Sequence, residues 1–173
     1  MNRSSPSGFS LVEILIVVVV LGIVAAVVMP QFAGSSEFAR YTSTIDNLQD
    51  MREIIDLYKN KHRGRLPGVA GADPDLVFVE QMSLPTNVNG ERSGNANQGF
   101  GDPDYPLGPY VPHGIPANPF NGSRAIRTVT TFPASPPGGS NVTDPGWIYE
   151  ITSGRIRINN GGPTPFGTEY WEL

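Results

Sequence analysis

A long apolar run near the N-terminus constrains this chain more than any other feature. From residue 9 to residue 29 every residue is apolar or small except Ser10 and Glu13. As an α-helix rising about 1.5 Å per residue, a run of about 20 residues spans the ~30 Å hydrocarbon core of a bilayer. Because only a helix satisfies its own backbone groups in lipid, the run predicts a membrane-spanning helix despite its many β-branched residues.

The acid inside this run, Glu13, needs an explanation. A carboxylate at the centre of a membrane helix costs about 2.5–3.5 kcal/mol on insertion scales, and Glu13 lies near one end, where the cost is lower. No Lys or Arg lies within the run, so the partner of Glu13 must come from elsewhere. A cleaved secretory signal fits poorly, since such apolar regions are shorter and lack acids. A plain signal anchor explains the length of the run but not its acid.

The stretch GFSLVE, residues 8–13, together with the apolar run that follows, resembles the prepilin-type signal of type IV pilins and type II secretion pseudopilins. The resemblance implies that a prepilin peptidase cleaves after Gly8 and methylates the new N-terminal amine of Phe9. It also implies that the apolar segment is retained in the mature protein. Glu13 would then meet the cationic N-terminus of a neighbouring subunit.

The apolar run continues into a helical segment with a different pattern. From Ser36 onward apolar residues recur every three or four positions, which predicts an amphipathic helix with one buried face. These residues are Phe38, Tyr41, Ile45, Leu48, Met51, Ile55 and Tyr58. Basic residues and then Gly64 and Pro67 end the pattern, so one helix is predicted from about Phe9 to about His62.

Two positions inside this helix, Gly22 and Pro30, are candidate assembly residues. Filaments of the family that the chain resembles often lose helical hydrogen bonding between such a Gly and a Pro. Gly is a poor helix former and Pro30 lacks a backbone donor, so the sequence is compatible with that loss. A simple kink at the membrane surface explains the same two residues equally well.

The remaining residues predict a small domain with much loop. The stretch ADPDLVFVEQMSLP predicts a short helix capped by Asp73 and stopped by Pro85, with a strand through LVFVEQ as the alternative. Alternating residues predict a β-hairpin over residues 147–159, and AIRTVTTF predicts a third strand. The predicted fold class is therefore α+β and pilin-like: a long N-terminal helix, with a membrane half and an amphipathic half, packed on a small antiparallel β-sheet with long loops.

Two further stretches narrow the resemblance to the major pseudopilins of type II secretion. LGPYVPHGIPANPFNG is similar to the segment that precedes their sheet, and IIDLYKNKHRGRLP is similar to the end of their helix. Many of those proteins hold calcium through aspartates in a C-terminal loop, but no Asp follows Asp144 here. We therefore expect no cofactor. If calcium does bind, Asp102 and Asp104 are the weak candidates, and an Asp-Pro-Asp sequence more often builds a turn.

Several classes of chemistry are missing from the sequence. It contains no cysteine, which excludes thiol catalysis and the disulfide common in type IV pilins. It contains no G-x-S-x-G, P-loop, H-E-x-x-H or dinucleotide fingerprint, so we do not expect an enzyme. His62 is predicted to cap a helix end, and His113 to lie exposed in a Pro-rich loop. A net charge of −4 without a basic block argues against nucleic acid as a partner.

The predicted organisation has four parts: a cytoplasmic leader (residues 1–8), a transmembrane and assembly helix (9–29), its amphipathic continuation (30–62) and a periplasmic globular region (63–173). The expected function is that of a structural subunit of a pilus-like fibre, a major-type pseudopilin of a type II secretion system in the bacterial inner membrane. Its expected partners are further copies of itself, minor pseudopilins, prepilin peptidase, the inner-membrane platform protein and lipid. The alternatives are a type IV pilin of a surface pilus and, from a different class, a membrane-tethered periplasmic binding module.

Overall fold

The computed structural model describes residues 9–69, 71–94, 102–139 and 141–173. The chain divides into two units, one that ends at Ala39 and a second that runs from Arg40 to Leu173 and is called the compact unit below. One long helix contributes to both units, and the other helices and strands of the described residues belong to the second unit.

Helix α1 spans Leu11–Lys61 and is assigned as one continuous element through Gly22 and Pro30. The predicted ends, about Phe9 and about His62, lie within two residues of the observed ones. The long helix expected from the change of apolar period is therefore confirmed, because both the uniformly apolar stretch and the amphipathic stretch are compatible with one helical backbone.

A second helix, α2, spans Pro74–Ser83. Asp73 accepts a hydrogen bond from the Leu76 N–H through Oδ1 at 3.2 Å, so the predicted N-cap is confirmed and the alternative strand is wrong. The Asp75 carboxylate in the first turn accepts hydrogen bonds from the Thr128 backbone N–H at 2.7 Å and from the Thr128 hydroxyl at 2.5 Å. These two bonds fasten the start of α2 to the sheet.

Three short strands form one sheet in the order β1-β2-β3: Ile126–Val129, Trp147–Glu150 and Ile156–Ile158. Strands β2 and β3 are antiparallel, with Trp147 opposite Ile158, and the predicted hairpin is confirmed. Strand β1 pairs with β2 in parallel, so the prediction of an antiparallel sheet is wrong for this pair and the sheet is mixed. Parallel neighbours need a crossover of about a dozen residues or more, and the loop over residues 130–146 is long enough to supply it.

One hydrophobic cluster joins the second half of α1 to α2, the sheet and a C-terminal 3₁₀ helix at Tyr170–Glu172. Helix α1 contributes four residues at the predicted spacing, and the strands contribute five: Leu48, Met51, Ile55 and Tyr58, with Ile126, Trp147, Tyr149, Ile156 and Ile158. Trp147 is fully buried, and its indole N–H donates to the Pro116 carbonyl at 2.8 Å. The α+β class predicted for the chain is therefore confirmed.

Candidate assembly site

The predicted processing and assembly residues lie at the start of α1. Gly8 falls outside the described residues, and Phe9 is 80% exposed immediately before the helix. Ser10 precedes the first helical residue, and the Glu13 backbone N–H donates to the Ser10 hydroxyl at 3.3 Å and to the Ser10 carbonyl at 3.1 Å. This geometry makes Ser10 the N-cap of α1 and places Glu13 at the third helical position.

The Ser10–Glu13 spacing is also that of a capping box, in which the N-cap hydroxyl and a Glu or Gln three residues later satisfy free backbone donors at a helix start. The sequence contained this signal as S-x-x-E before an apolar run, and the sequence analysis missed it. Within the described part of the chain, the Glu13 carboxylate forms no ion pair. Glu13 therefore has two roles open to it, a local cap and a charge that an incoming amine can pair with.

Among the residues that the structure describes, the apolar face around Glu13 has no partner inside its own unit. The segment Leu11–Val28 has a mean hydropathy of 3.2 and is long and apolar enough to cross a membrane. Its large side chains are exposed, as Leu11 shows at 83%. A Cβ added at Gly22 would meet no atom within 4 Å, so this glycine leaves a shallow notch on the helix. Burying one Val, Leu or Ile side chain is worth about 1.5–3 kcal/mol, so this surface strongly favours lipid or other apolar helices over water.

His62, a titratable residue of the compact unit, has a structural role. His62 is fully buried and stacks on Tyr58 with the ring centroids 3.7 Å apart. Its Nδ1 lies 2.8 Å from the Tyr58 carbonyl, and its Nε2 lies 3.0 Å from the Thr86 hydroxyl. Burial lowers the pKa of His62 below its ordinary value of 6.5, so the ring is neutral at neutral pH. His62 does bond a carbonyl of the last turn, as a cap would, but the expected charge–dipole role is wrong.

Glu150 is a second buried group that the sequence analysis did not single out. It lies on β2, whose four residues are all buried although their alternating pattern is typical of a half-exposed strand. Its carboxylate accepts hydrogen bonds from the Ser153 hydroxyl and the Phe132 N–H and forms an ion pair with Arg155 at 3.0 Å. The Ser153 hydroxyl first, and then Arg155 and the Phe132 amide, lower the pKa of the Glu150 carboxyl. The Glu150 carboxylate is therefore ionised, and in this form it fixes the β2–β3 turn.

The two aspartates named as weak calcium candidates form a turn. The Asp104 backbone N–H donates to Asp102 Oδ1 at 2.9 Å, which confirms the turn role expected for an Asp-Pro-Asp sequence. Within the described ranges, no group of three or more His, Cys, Asp or Glu side chains could hold a metal ion. His113 lies exposed in its loop, as predicted.

Comparison with known proteins identifies the N-terminal segment. Residues 3–29 match the family described as the prokaryotic N-terminal methylation motif. The chain is 41% identical over 59 residues to type II secretion system core protein G of Pseudomonas aeruginosa, covering 34% of this chain and 42% of that protein. The corresponding protein of Aeromonas hydrophila is 34% identical over 59 residues (34% and 41% covered), and that of Vibrio cholerae is 36% identical over 53 residues (31% and 36% covered).

The aligned part thus spans less than half the length of these relatives. No solved structure matches the chain significantly. The resemblance inferred from GFSLVE is nevertheless confirmed by the match to the methylation motif and by the similarity to core protein G. The chain carries the prokaryotic N-terminal methylation motif on an apolar helix suited to membrane anchoring, and it is similar to core protein G of type II secretion systems.

Proposed function

We propose that this chain is a structural subunit of a pilus-like fibre, a major-type pseudopilin that serves type II protein secretion. The observation that carries the proposal is the coincidence of the methylation motif at residues 3–29 with an exposed apolar helix that contains Glu13. The subunit would sit in the inner membrane with its compact unit in the periplasm. Prepilin peptidase would cleave after Gly8, and the platform protein and minor pseudopilins would take part in assembly.

Glu13 would set the register between subunits. It lies four residues after Phe9, about 6 Å along a helix, so an incoming Phe9 amine can approach it with an offset of about one turn. Two opposite charges ~4 Å apart attract by about 4 kcal/mol at an effective dielectric of 20, before desolvation is subtracted. Apolar helix faces in lipid provide little preference for one register, whereas each wrong register leaves this carboxylate unpaired.

Substitutions at Glu13 separate the pairing role from the capping role. Glu13→Gln keeps a residue that suits a capping box but removes the charge. We expect Glu13→Gln and Glu13→Ala both to insert and to be processed at Gly8, yet to form no regular fibres. Glu37→Ala is the matched control, since Glu37 is an exposed acid on the same helix outside the apolar run.

The measurements are fibre yield by electron microscopy at equal membrane levels and the mass of the mature N-terminus. Normal fibres from Glu13→Gln would assign Glu13 to helix capping alone. A mature N-terminus beyond the apolar run, instead of a methylated Phe9, would contradict the proposed function and point to a secretory signal. Correct processing without any fibre from the wild-type protein would favour the membrane-tethered binding module.

A further inference from the structure

Three asparagines of the compact unit are followed directly by glycine: Asn89, Asn121 and Asn160. An asparagine before glycine loses its side-chain amide readily, because the glycine has no side chain to hinder attack by its backbone nitrogen. The reaction needs two freedoms. The glycine N–H must be open to base, and the asparagine amide must be able to rotate toward the glycine nitrogen. All three pairs lie among the described residues, so the structure can distinguish them.

The Asn89–Gly90 pair is held by its backbone. The Gly90 N–H donates to the Asn87 carbonyl at 2.9 Å, and the Asn89 carbonyl accepts from the Arg65 guanidinium at 3.0 Å. A Cβ added at Gly90 would lie 2.8 Å from the Tyr58 hydroxyl, so this glycine is also closely packed. The peptide group between Asn89 and Gly90 is therefore fixed through both its oxygen and its N–H.

The Asn121–Gly122 pair is held by its backbone and by its side chain. The Gly122 N–H donates to the Asn118 carbonyl at 2.8 Å. The Asn121 side chain is buried, its Oδ1 accepts from the Ser123 N–H at 3.0 Å, and its Nδ2 donates to the Asp144 carbonyl at 3.5 Å. Neither of the two freedoms that the reaction needs is present here.

The Asn160–Gly161 pair lacks these restraints. Within the ranges that the structure describes, the Gly161 N–H has no hydrogen-bond acceptor and the Asn160 side-chain amide has no hydrogen-bond partner. Gly161 is exposed and Asn160 is half-buried. This pair therefore combines an accessible glycine N–H with an asparagine side chain that no hydrogen bond holds in place.

We infer that Asn160 is a site of spontaneous deamidation. Base removes the amide proton of Gly161, and the nitrogen attacks Cγ of Asn160. The N–Cγ bond forms, the Cγ–Nδ2 bond breaks, and ammonia leaves with a proton returned by water. A second water molecule opens the resulting succinimide at either carbonyl, which gives aspartate or iso-aspartate. In total, water is consumed and ammonia is released, so the modification needs no enzyme and does not depend on the proposed function.

The surroundings of Asn160 give the iso-aspartate form a structural consequence. A Cβ added at Gly139 would clash with the Asn159 carbonyl oxygen and lie 3.4 Å from Cα of Asn160, so two backbone segments are in close contact here. The Asn159 N–H also donates to the Gly146 carbonyl at 3.0 Å. An iso-aspartate lengthens the main chain by one carbon atom at this point and displaces one of the two segments. The iso-aspartate form should therefore be less stable than the unmodified protein.

Incubation of the full-length protein in detergent at mildly alkaline pH tests the site, with peptide mass spectrometry to measure amide loss at each pair. In the folded protein Asn160 should convert roughly tenfold faster than Asn89 and Asn121, because the glycine N–H groups of those two pairs must first open. In guanidinium the three asparagines should convert at similar rates. Isoelectric focusing should show the main acidic form in the wild-type protein and in Asn89→Gln, but not in Asn160→Gln, since glutamine closes its larger ring far more slowly.

Equal conversion of the three pairs in the folded protein would overturn the inference. Persistence of the Asn160 amide in the folded protein, while the unfolded chain loses it, would overturn it as well. Asn160→Asp is the matched control for stability, because it carries the new carboxylate on an unchanged main chain. The iso-aspartate form should melt roughly 2 °C or more below Asn160→Asp. Equal melting temperatures would contradict the predicted displacement and leave the modification site in place.

Discussion

The two halves of α1 share one backbone conformation and differ in where their apolar side chains find partners. Residues 11–28 expose their large side chains, whereas the half within the compact unit buries a stripe from Leu48 to His62. A helix with apolar residues on all sides has to be covered by lipid or other helices, but a helix with one apolar stripe can be covered by its own domain. The comparison teaches that the second half stabilises the compact unit, whereas the first half contributes no buried side chains and is free for the proposed assembly.

The largest effect on stability is expected from a substitution that creates a cavity in the compact unit. Trp147→Ala should lower the free energy of unfolding of that unit by about 3–5 kcal/mol, because a fully buried aromatic side chain and its hydrogen bond to Pro116 are lost. Membrane insertion should be unchanged. Thermal unfolding in detergent, followed by the fluorescence of the remaining Trp171, measures the loss. Val142→Ala, at a 76% exposed position, is the control and should change little.

Acid should weaken the compact unit through His62. The pKa of His62 is lowered in the folded state, so the unfolded chain binds more protons and the free energy of unfolding rises with pH. The contribution is complete above about pH 6.5 and is lost as the pH falls below it. Melting temperatures of the wild-type protein should fall across this window, and those of His62→Gln should fall less. An identical slope in both proteins would show that other groups carry the acid sensitivity.

A smaller effect is expected at the cap of α2. Asp73→Ala removes the acceptor for the Leu76 N–H and should cost about 1 kcal/mol of stability. In a protein of this size such a loss lowers the melting temperature by about 2–4 °C. Asp73→Asn keeps a side-chain acceptor and should restore most of the difference. Equal losses for Ala and Asn would contradict the capping role.

The smallest effect on stability is expected from a substitution in the apolar half of α1. Val18 is exposed in the apolar half of α1, so Val18→Ala should change the unfolding free energy of the compact unit by less than about 0.5 kcal/mol. The same tryptophan signal measures it, since both tryptophans, Trp147 and Trp171, belong to the compact unit. A marked destabilisation would show that the two units are energetically coupled.

Local signals in the sequence predicted the helices well. Asp73 followed by Pro74 and later by Pro85 specifies both ends of α2, because capping and proline geometry act within a few residues. The methylation motif was likewise legible, since its residues are contiguous. The parallel pairing of β1 with β2 was not predictable in this way. Side-chain alternation indicates which face of a strand is buried, but not which strand it pairs with or in which direction.

The burial of His62 was not predicted either, although the sequence contains a usable signal. Position 62 directly follows α1 and continues its apolar stripe at a spacing of four from Tyr58, in line with the buried face of the helix. Its charged neighbours, Lys61 and Arg63, are instead typical of an exposed helix end. The proximity of Arg52 to Arg157 could not be predicted, since only the tertiary fold brings these two residues together.

Synthesis runs from the N-terminus, so the buried stripe of α1 is made long before the strands that cover it. Leu48 to Tyr58 leave the ribosome well ahead of Trp147 to Ile158, and the parallel β1–β2 pair cannot form until the loop between its strands is complete. The domain therefore matures late and in nearly one step. A nascent chain that stalls before residue 147 would expose two apolar surfaces of α1 in place of one, the N-terminal apolar half and the stripe from Leu48 to Tyr58. Chaperones and proteases would bind such a chain.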